Sequence, residues 1–222
     1  MLLAVDTSTR SIGLALYDGT QIISESVWQT TNHHTVEVAP AIKFLFDQSG
    51  IVYKDLDAIG VALGPGSFTS LRIGLAVVKG LALSLHIPVI GVPTLDFLAA
   101  SQPLLDMPLG AILQSGRSRI AVGWYKVEKK KWVSQGEAFV TTMDEFSETI
   151  EEPIYVCGEL TTKERQILAR KRKIVSLASP AASLRRPGFL AELAWKNFQS
   201  GKISEVVSLS PIYLHIADPI PD

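Results

Sequence analysis

The stretch "LGPGSFTSLRIGLAVVKGLALSLHIPVIGVP", residues 63–93, decides how this chain folds. It contains a Gly-Pro-Gly turn, hydroxyl-bearing residues and a long apolar run, which is the order expected where a buried strand ends and a helix begins. Glycine adopts positive φ cheaply, and the Ser67 hydroxyl is suited to cap a helix that runs to Leu85. The pattern therefore predicts a strand, a turn, a capped helix and then another buried strand in "IPVIGVPT".

The same turn raises the question of phosphate binding, because a helix N-terminus after a glycine turn also favours anions. A Walker-type loop needs Lys and then Ser or Thr after its second glycine, whereas Gly66 is followed by Ser67 and Phe68. The spacing favours a structural turn over a phosphate site. Phosphate binding stays open as the alternative.

Composition limits the class of protein. The chain has 222 residues, a formal net charge of -1 and one cysteine, Cys157, so no intramolecular disulfide can form. Lys79, His86 and Pro88 interrupt the apolar run, which favours a buried helix over a membrane span. We expect a cytoplasmic globular protein without a membrane partner, in which any RNA contact is local or shared with another subunit. The basic run "ARKRK", residues 169–173, is interpreted as a solvated face in preference to an RNA contact.

The rest of the chain reads as two similar blocks. Residues 1–30 predict three strands, residues 31–50 a helix capped by Thr31 or Asn32 and ended by Gly50, and the whole of residues 1–100 the order β-β-β-α-β-α-β. From Leu104 the plan repeats, and a last helix follows in residues 183–202. We predict an α/β protein with lobes at 1–100 and 101–222, whose final helix and tail are placed to pack back on the first lobe.

Candidate ligands in this sequence are few. In "VDTSTRSIG", residues 5–13, Asp6 and the hydroxyls after it could hold a metal-bound phosphate, or they could simply hydrogen-bond the turn. Two metal ligands on a helix need i, i+4 spacing. His34 is followed at that distance by Val38, which cannot bind a metal, and His33 by Glu37, a pair that could bind one but is more typical of a solvated surface. No metal centre is expected. Cys157, in an apolar strand, is expected to be a buried small side chain.

Several segments resemble the TsaB/YeaZ family, a bacterial partner in threonylcarbamoyladenosine synthesis on tRNA. The resemblance is dense over residues 1–100 and sparse beyond, and its segments are "DTST", "IGLAL", "HTVEVAP", "LGPGSFTSLRIGLAVVKGLA" and "IPVIGVPTLDFLA". It implies an actin-like fold of the ASKHA and ribonuclease H-like class, with two tandem βββαβαβ lobes. Three departures stand out: Ser70 replaces the usual Gly, "AILQSGRSRI" lacks the Asp-Ala-Arg that opens the second lobe, and His215 replaces the Arg of the family's C-terminal motif.

The resemblance also implies a role. In that family the related subunit TsaD carries a metal-binding His pair and transfers the threonylcarbamoyl group to N6 of the adenosine beside the anticodon. TsaB pairs with it as a non-catalytic scaffold, and a small ATPase, TsaE, joins them. By this resemblance ATP and a metal belong to the partner subunits and none to this chain, tRNA is reached through the complex, and a homodimer can form when the partner is absent.

Two sets of residues follow as candidate sites. The first comprises vestigial phosphate-loop positions: Asp6, Thr7, Ser8, Gly64, Gly66 and Gly158. The second is a partner interface on the two helices of the first lobe: Val38, Ala41, Ile42, Leu45, Ile73, Ala76, Val77 and Gly80. Ala76 and Gly80 are spaced i, i+4, which allows another backbone to approach closely, although these helix faces could instead fill the lobe's own core.

The alternative function is a stand-alone actin-fold ATPase or small-molecule kinase in which Asp6 organises magnesium; a peptidase has little support.

Overall fold

A computed structural model describes residues 1–30, 33–116 and 118–214. The chain divides into two compact units, one formed by Met1–Phe97 with Arg186–Ile212, the other by Leu98–Arg185 with Tyr213 and Leu214. The division near residue 100 falls between Phe97 and Leu98, and the segment Arg186–Ile212 belongs to the first unit although it follows the second in sequence.

The elements follow one another in an order close to the expected one. Residues 1–100 form β1 (Leu2–Asp6), β2 (Ser11–Tyr17), β3 (Ile22–Gln29), α1 (His34–Ser49), β4 (Ala58–Ala62), α2 (Phe68–Leu85), β5 (Val89–Val92) and α3 (Thr94–Ala100). The later residues form β6 (Leu109–Gln114), β7 (Arg119–Glu128), β8 (Lys131–Ser134), β9 (Phe139–Thr142), α4 (Met143–Glu148), β10 (Ile154–Gly158), α5 (Thr162–Ala169), β11 (Val175–Leu177) and α6 (Pro187–Gln199).

The first unit is a five-stranded sheet with helices on both faces. Its strand order is β3-β2-β1-β4-β5, with β1 antiparallel to β2 and parallel to β4. Alternate residues of β1 face opposite sides, so that Leu3 and Val5 pack with α1 and α2, whereas Leu2 and Ala4 pack with α6. The last helix therefore completes the core of the first unit.

The helix ends in this unit follow from local chemistry. Gly50 adopts φ 68 and ends α1, and the Ser67 hydroxyl accepts the Ser70 N–H and caps α2, both as predicted. The N-cap of α1 is His33; Thr31 and Asn32, the predicted caps, lie outside the described residues. Pro40 lies inside α1.

The second unit has a six-stranded sheet. Five strands follow the order β11-β10-β6-β7-β8, and β9 pairs with β7, which adds a strand that the sequence did not predict. Thr142 caps α4 through a reciprocal pair of hydrogen bonds with Glu145. The strands β6, β10 and β11 run parallel, so their carboxyl ends meet at one edge of this sheet.

Candidate functional site

The carboxyl ends of the parallel strands β1, β4 and β5 carry the first set of candidate residues. The Thr94 hydroxyl accepts the Gly64 N–H at 3.0 Å and lies 2.7 Å from the Ser8 hydroxyl. Ser8 and Thr94 are completely buried. We call Ser8, Gly64 and Thr94 the hydroxyl cluster; it links segments that are far apart in sequence through short, neutral hydrogen bonds.

The turn after β1 is bonded to the start of α2. Asp6 Oδ1 accepts the Ser8 N–H at 2.8 Å, the Thr7 hydroxyl donates to the Ser70 carbonyl at 2.9 Å, and the Ser67 N–H donates to the Ser8 carbonyl at 2.6 Å. Asp6 and Thr7 are buried. The two turns that the sequence offered as phosphate loops therefore bind each other.

Glycine is required where these two turns meet. A Cβ added at Gly66 would lie 2.1 Å from the Ser8 carbonyl oxygen, and one at Gly74 would lie 2.1 Å from the Thr7 hydroxyl. Gly64 has φ 102. Close packing of the turns is thus sufficient to explain these glycines, and a phosphate site at Asp6, Thr7, Ser8, Gly64 and Gly66 stays a prediction.

Ser70, which stands where the resembling family has Gly, is accommodated in the first turn of α2. Its hydroxyl donates to the Ser67 hydroxyl at 2.9 Å, and the residue is buried. The added side chain joins the cap of the helix and does not displace it.

The histidines near the start of α1 do not form a ligand pair. His34 Nε2 lies 2.9 Å from the Thr9 carbonyl oxygen, and Val38, four residues later, is completely buried. Glu37 accepts hydrogen bonds from the Trp28 indole N–H and from the Thr30 hydroxyl, which lower the pKa of Glu37. Within residues 1–30, 33–116 and 118–214 no three His, Cys, Asp or Glu residues are grouped to hold a metal ion.

The corresponding edge of the second sheet is charged. Gln114, at the end of β6, donates to a Glu164 carboxylate oxygen at 2.9 Å and to the Glu159 carbonyl at 2.8 Å, and the Arg185 guanidinium forms an ion pair with the Glu159 carboxylate. Arg185 is buried. We call Gln114, Glu159, Glu164 and Arg185 the charged cluster.

Gly158, the sixth candidate phosphate-loop position, ends β10 beside this cluster. Its φ is 127, and a Cβ there would lie 1.9 Å from the Ile112 carbonyl oxygen. Cys157 is buried next to it, and burial raises the pKa of its thiol, which agrees with its interpretation as a small apolar side chain.

Sequence reasoning did not place Glu159, Glu164 or Arg185 at this site. The pattern Thr161-x-x-Glu164 is that of a capping box and could have located Glu164, since both of its hydrogen bonds are present. Arg185 and Glu159 are 26 residues apart, and nothing local in the sequence pairs them.

The predicted partner interface needs a correction. Val38, Ile42 and Leu45 lie in the core of the first unit because they form one i, i+4, i+7 stripe that packs on the sheet. Ala41, Ile73 and Val77 are half-buried, whereas Ala76 and Gly80 are exposed.

The apolar side chains that α1 and α2 do expose are different ones. Val36 and Phe44 on α1 are 64% exposed, Leu83 on α2 is 61% exposed, and Phe68 at the start of α2 is 52% exposed. We call the set Val36, Phe44, Phe68, Ala76, Gly80 and Leu83 the helix surface.

Helix α2 is unusually apolar for a helix at a surface. It is the one helix of the described residues that is long and apolar enough to cross a membrane, with a mean hydropathy of 1.5 over 18 residues, of which 33% are buried. A core helix passes the same test, and Leu71, Leu75 and Val78 of α2 are buried in the first unit. Length and composition alone therefore give weak support for a membrane span.

Comparison with known proteins identifies relatives of this chain. The model of the TsaD family, described as tRNA N6-adenosine threonylcarbamoyltransferase, matches residues 21–197. The tRNA threonylcarbamoyladenosine biosynthesis protein TsaB of Bacillus subtilis is 29% identical over 98% of this chain and 95% of its own length. The Escherichia coli protein of the same name is 34% identical over 54% of this chain and 47% of its own length.

Solved structures agree with the predicted fold. YeaZ from Pseudomonas aeruginosa superposes with a TM-score of 0.79 at 25% identity, covering 96% of this chain and 99% of that one. The ROK hexokinase of Thermus thermophilus has a TM-score of 0.51 at 12% identity, covering 90% and 99% of the two chains, and shows the fold alone. The expected actin-like α/β fold is confirmed. The matched sequences and structures together show that the chain belongs to the TsaB/YeaZ family, within the wider group that the TsaD model describes.

Proposed function

We propose that this chain is a non-catalytic scaffold subunit in the synthesis of threonylcarbamoyladenosine on tRNA. In this proposal it pairs with a TsaD-like subunit and supports transfer of the threonylcarbamoyl group to N6 of the adenosine beside the anticodon. Family membership supports the pathway. The pairing and the scaffold role rest on the surface of the first unit.

The helix surface is the observation that carries the proposal. Val36, Phe44 and Leu83 present large apolar side chains to solvent, and burying such side chains against another protein is favourable. A Cβ added at Gly80 would have no atom within 4 Å, so a partner helix can approach α2 closely there. Helices α1 and α2 pack together, and an equivalent helix pair on a TsaD-like partner would complete a bundle.

The non-catalytic role is supported by the arrangement at the start of α1. Where a His pair would need its second ligand, Val38 is buried in the core. We propose that the metal and ATP are held by the TsaD-like and TsaE-like partners, that the complex is cytoplasmic, and that the same helix surface forms a homodimer when no partner is present. The stand-alone kinase has less support, because the N–H groups of Gly64 and Ser67 already donate within the protein.

Reconstitution tests the role directly. The full chain is combined with the TsaD-like subunit, the TsaE-like ATPase and the adenylate-forming enzyme of the same organism, and the modified nucleoside is measured by mass spectrometry. We expect product with the complete set, none with this chain alone, and a large loss when this chain is omitted. Transfer by the isolated chain, or full activity without it, would contradict the scaffold role.

Substitutions on α2 test the surface. Gly80→Phe and Leu83→Asp are expected to weaken pairing with the TsaD-like subunit by about tenfold or more, since each disturbs a central apolar contact. Gly80→Ala and Leu104→Asp are the matched controls: the first adds only a methyl group in open space, and the second places the same charge at an exposed leucine of the second unit. Equal affinity for all four variants, measured by calorimetry, would remove α2 from the interface.

A further inference from the structure

A segment near the end of the second unit, which continues into the first, concentrates positive charge. Residues 165–191 contain seven Lys and Arg residues and no Asp or Glu, in a chain whose net charge is -1. Five of the seven lie between Arg165 and Lys173, where α5 ends and a turn leads to β11. The turn is held by backbone hydrogen bonds: Arg170 N–H to Ile167 O at 3.2 Å, and Ile174 N–H to Lys171 O at 2.9 Å.

Two of these five side chains have a structural role. Arg165 Nη1 donates to the Ala178 carbonyl at 3.1 Å, and Lys171 Nζ donates to the Ile150 carbonyl at 3.0 Å. Each side chain therefore ties the end of α5 to a neighbouring segment of the same unit.

The other three side chains are left to solvent. Arg170, Arg172 and Lys173 are exposed, and none of them has an ion pair or a side-chain hydrogen bond with any residue in the described ranges. The acidic residue of α5, Glu164, is buried and accepts hydrogen bonds from Gln114 and from the Thr161 N–H. We call Arg170, Arg172 and Lys173 the basic turn.

Three cations within four residues of a turn repel one another, and the partial negative charge at the C-terminus of α5 offsets this in part. A chain of phosphates would relieve the repulsion, because the arginine fork matches phosphate oxygens in bidentate geometry and lysine supplies a point charge. Charge on a short, rigid segment suits contact with a backbone that carries a phosphate at every nucleotide.

We propose that the basic turn binds the phosphate backbone of RNA and helps to position the tRNA substrate. This inference rests on the proposed function, which brings tRNA to the complex, and it assigns part of the tRNA contact to the second unit. Phosphate contacts fix register and orientation without reading bases. The basic turn is therefore a positioning surface.

The hairpin between β7 and β8 offers a matched control. It also presents three consecutive lysines, Lys129, Lys130 and Lys131, all exposed. There, Glu128 lies directly opposite Lys131 in the strand register, so the lysines have a carboxylate beside them. Reversing three charges at either place changes the net charge of the chain equally.

The experiment compares the triple variant Arg170→Glu, Arg172→Glu, Lys173→Glu with the triple variant Lys129→Glu, Lys130→Glu, Lys131→Glu. Each full chain is assembled with its TsaD-like partner, and binding of labelled, unmodified tRNA is measured by fluorescence anisotropy over a range of salt concentrations. We expect the basic-turn variant to bind about tenfold more weakly or worse, with the slope of log K against log salt reduced by about 2, because each lost phosphate contact contributes about 0.7–0.9. The hairpin variant should change affinity less than about twofold.

Three results would overturn the inference. They are equal losses in the two variants, no loss in the basic-turn variant, and a loss of pairing with the TsaD-like or TsaE-like subunit in place of tRNA affinity, which would identify an acidic protein partner. Thermal unfolding of each chain checks the fold, and Arg170→Gln, Arg172→Gln, Lys173→Gln replaces the charge reversal if that variant unfolds. Failure of the proposed function is seen separately, as a wild-type chain that does not support modification in the mass-spectrometric assay.

Discussion

The two units close the same edge of their sheets with different chemistry. In the first unit the carboxyl ends of the parallel strands meet in the neutral hydroxyl cluster, where Ser8, Gly64 and Thr94 share short hydrogen bonds. In the second unit the equivalent ends meet in the charged cluster, where Arg185 and Glu159 form an ion pair. The strand order thus determines where polar side chains come together. The residue types at those positions determine whether neutral hydrogen bonds or an ion pair connect them.

Both edges depend on glycine, and removing it should give the largest effects. Gly66→Ala and Gly158→Ala would each place a Cβ about 2 Å from a carbonyl oxygen of the backbone, which cannot move without the sheet or turn that carries it. We expect each substitution to lower the free energy of unfolding by about 3 kcal/mol or more. The measurement is denaturant unfolding followed by circular dichroism.

Gly80→Ala is the control for this pair, because it adds the same methyl group on an exposed helix position with no atom within 4 Å. It should stabilise α2 by about 0.5–1 kcal/mol. If Gly66→Ala is as stable as the wild type, the turns of the first unit can separate at little cost. Close packing at a glycine would then not be needed at this edge of the first sheet.

The ion pair of the charged cluster should respond asymmetrically. The Arg185 side chain is 1% exposed and that of Glu159 is 24% exposed. Glu159→Gln removes the carboxylate of this ion pair from beside a buried guanidinium and should cost about 3 kcal/mol. Arg185→Met removes the buried charge and leaves a carboxylate that water can reach, so it should cost about 1 kcal/mol. Equal losses in denaturant unfolding would show that burial of the guanidinium does not set the cost.

The hydroxyl cluster should show a smaller loss. Thr94→Val keeps the shape of the side chain but removes the acceptor of the Gly64 N–H and the partner of the Ser8 hydroxyl. Leaving these buried groups unpaired should cost about 1–3 kcal/mol. Thr35→Val, at an exposed position of α1, should change stability by no more than about 0.5 kcal/mol. If the two variants are equally stable, the Thr94 hydroxyl is not needed to close this edge.

Local chemistry explains which features the sequence could predict. The Ser67 cap, the Gly50 end and the Thr142 cap each depend on residues within a few positions, and all three are present. The sequence left two uses open for the apolar face of α1 through Val38, a partner surface or the core, because periodicity does not say what covers an apolar face; in the structure Val38, Ile42 and Leu45 are buried in the core. The hydrogen bond between Ser8 and Thr94, 86 residues apart, exists only once the strands are assembled.

The smallest expected effect is on the loss of folding stability at acidic pH. Glu37 in the first unit has its pKa lowered from 4.5 by hydrogen bonds from Trp28 and then Thr30, and Glu145 in the second has its pKa lowered by the Thr142 N–H and then the Thr141 hydroxyl. A carboxyl whose pKa is lower in the folded protein stabilises it above the unfolded pKa, and this contribution is lost as pH falls through the folded pKa. Glu37→Gln and Glu145→Gln should therefore each flatten the loss of stability below about pH 4.5.

The two carboxyl groups can be titrated separately, because protonation of Glu37 in the first unit should change tryptophan fluorescence and protonation of Glu145 in the second should not. Glu37 accepts from an indole, so its titration should change the fluorescence of Trp28, and that change should vanish in both Glu37→Gln and Trp28→Phe. Glu145 accepts hydrogen bonds from Thr141 and Thr142, which do not fluoresce, so Glu145→Gln should leave the fluorescence titration unchanged. A midpoint at or above 4.5 for Glu37 would mean that the bonds from Trp28 and Thr30 do not favour its charged form, because hydrogen bonds to a carboxylate can only lower its pKa.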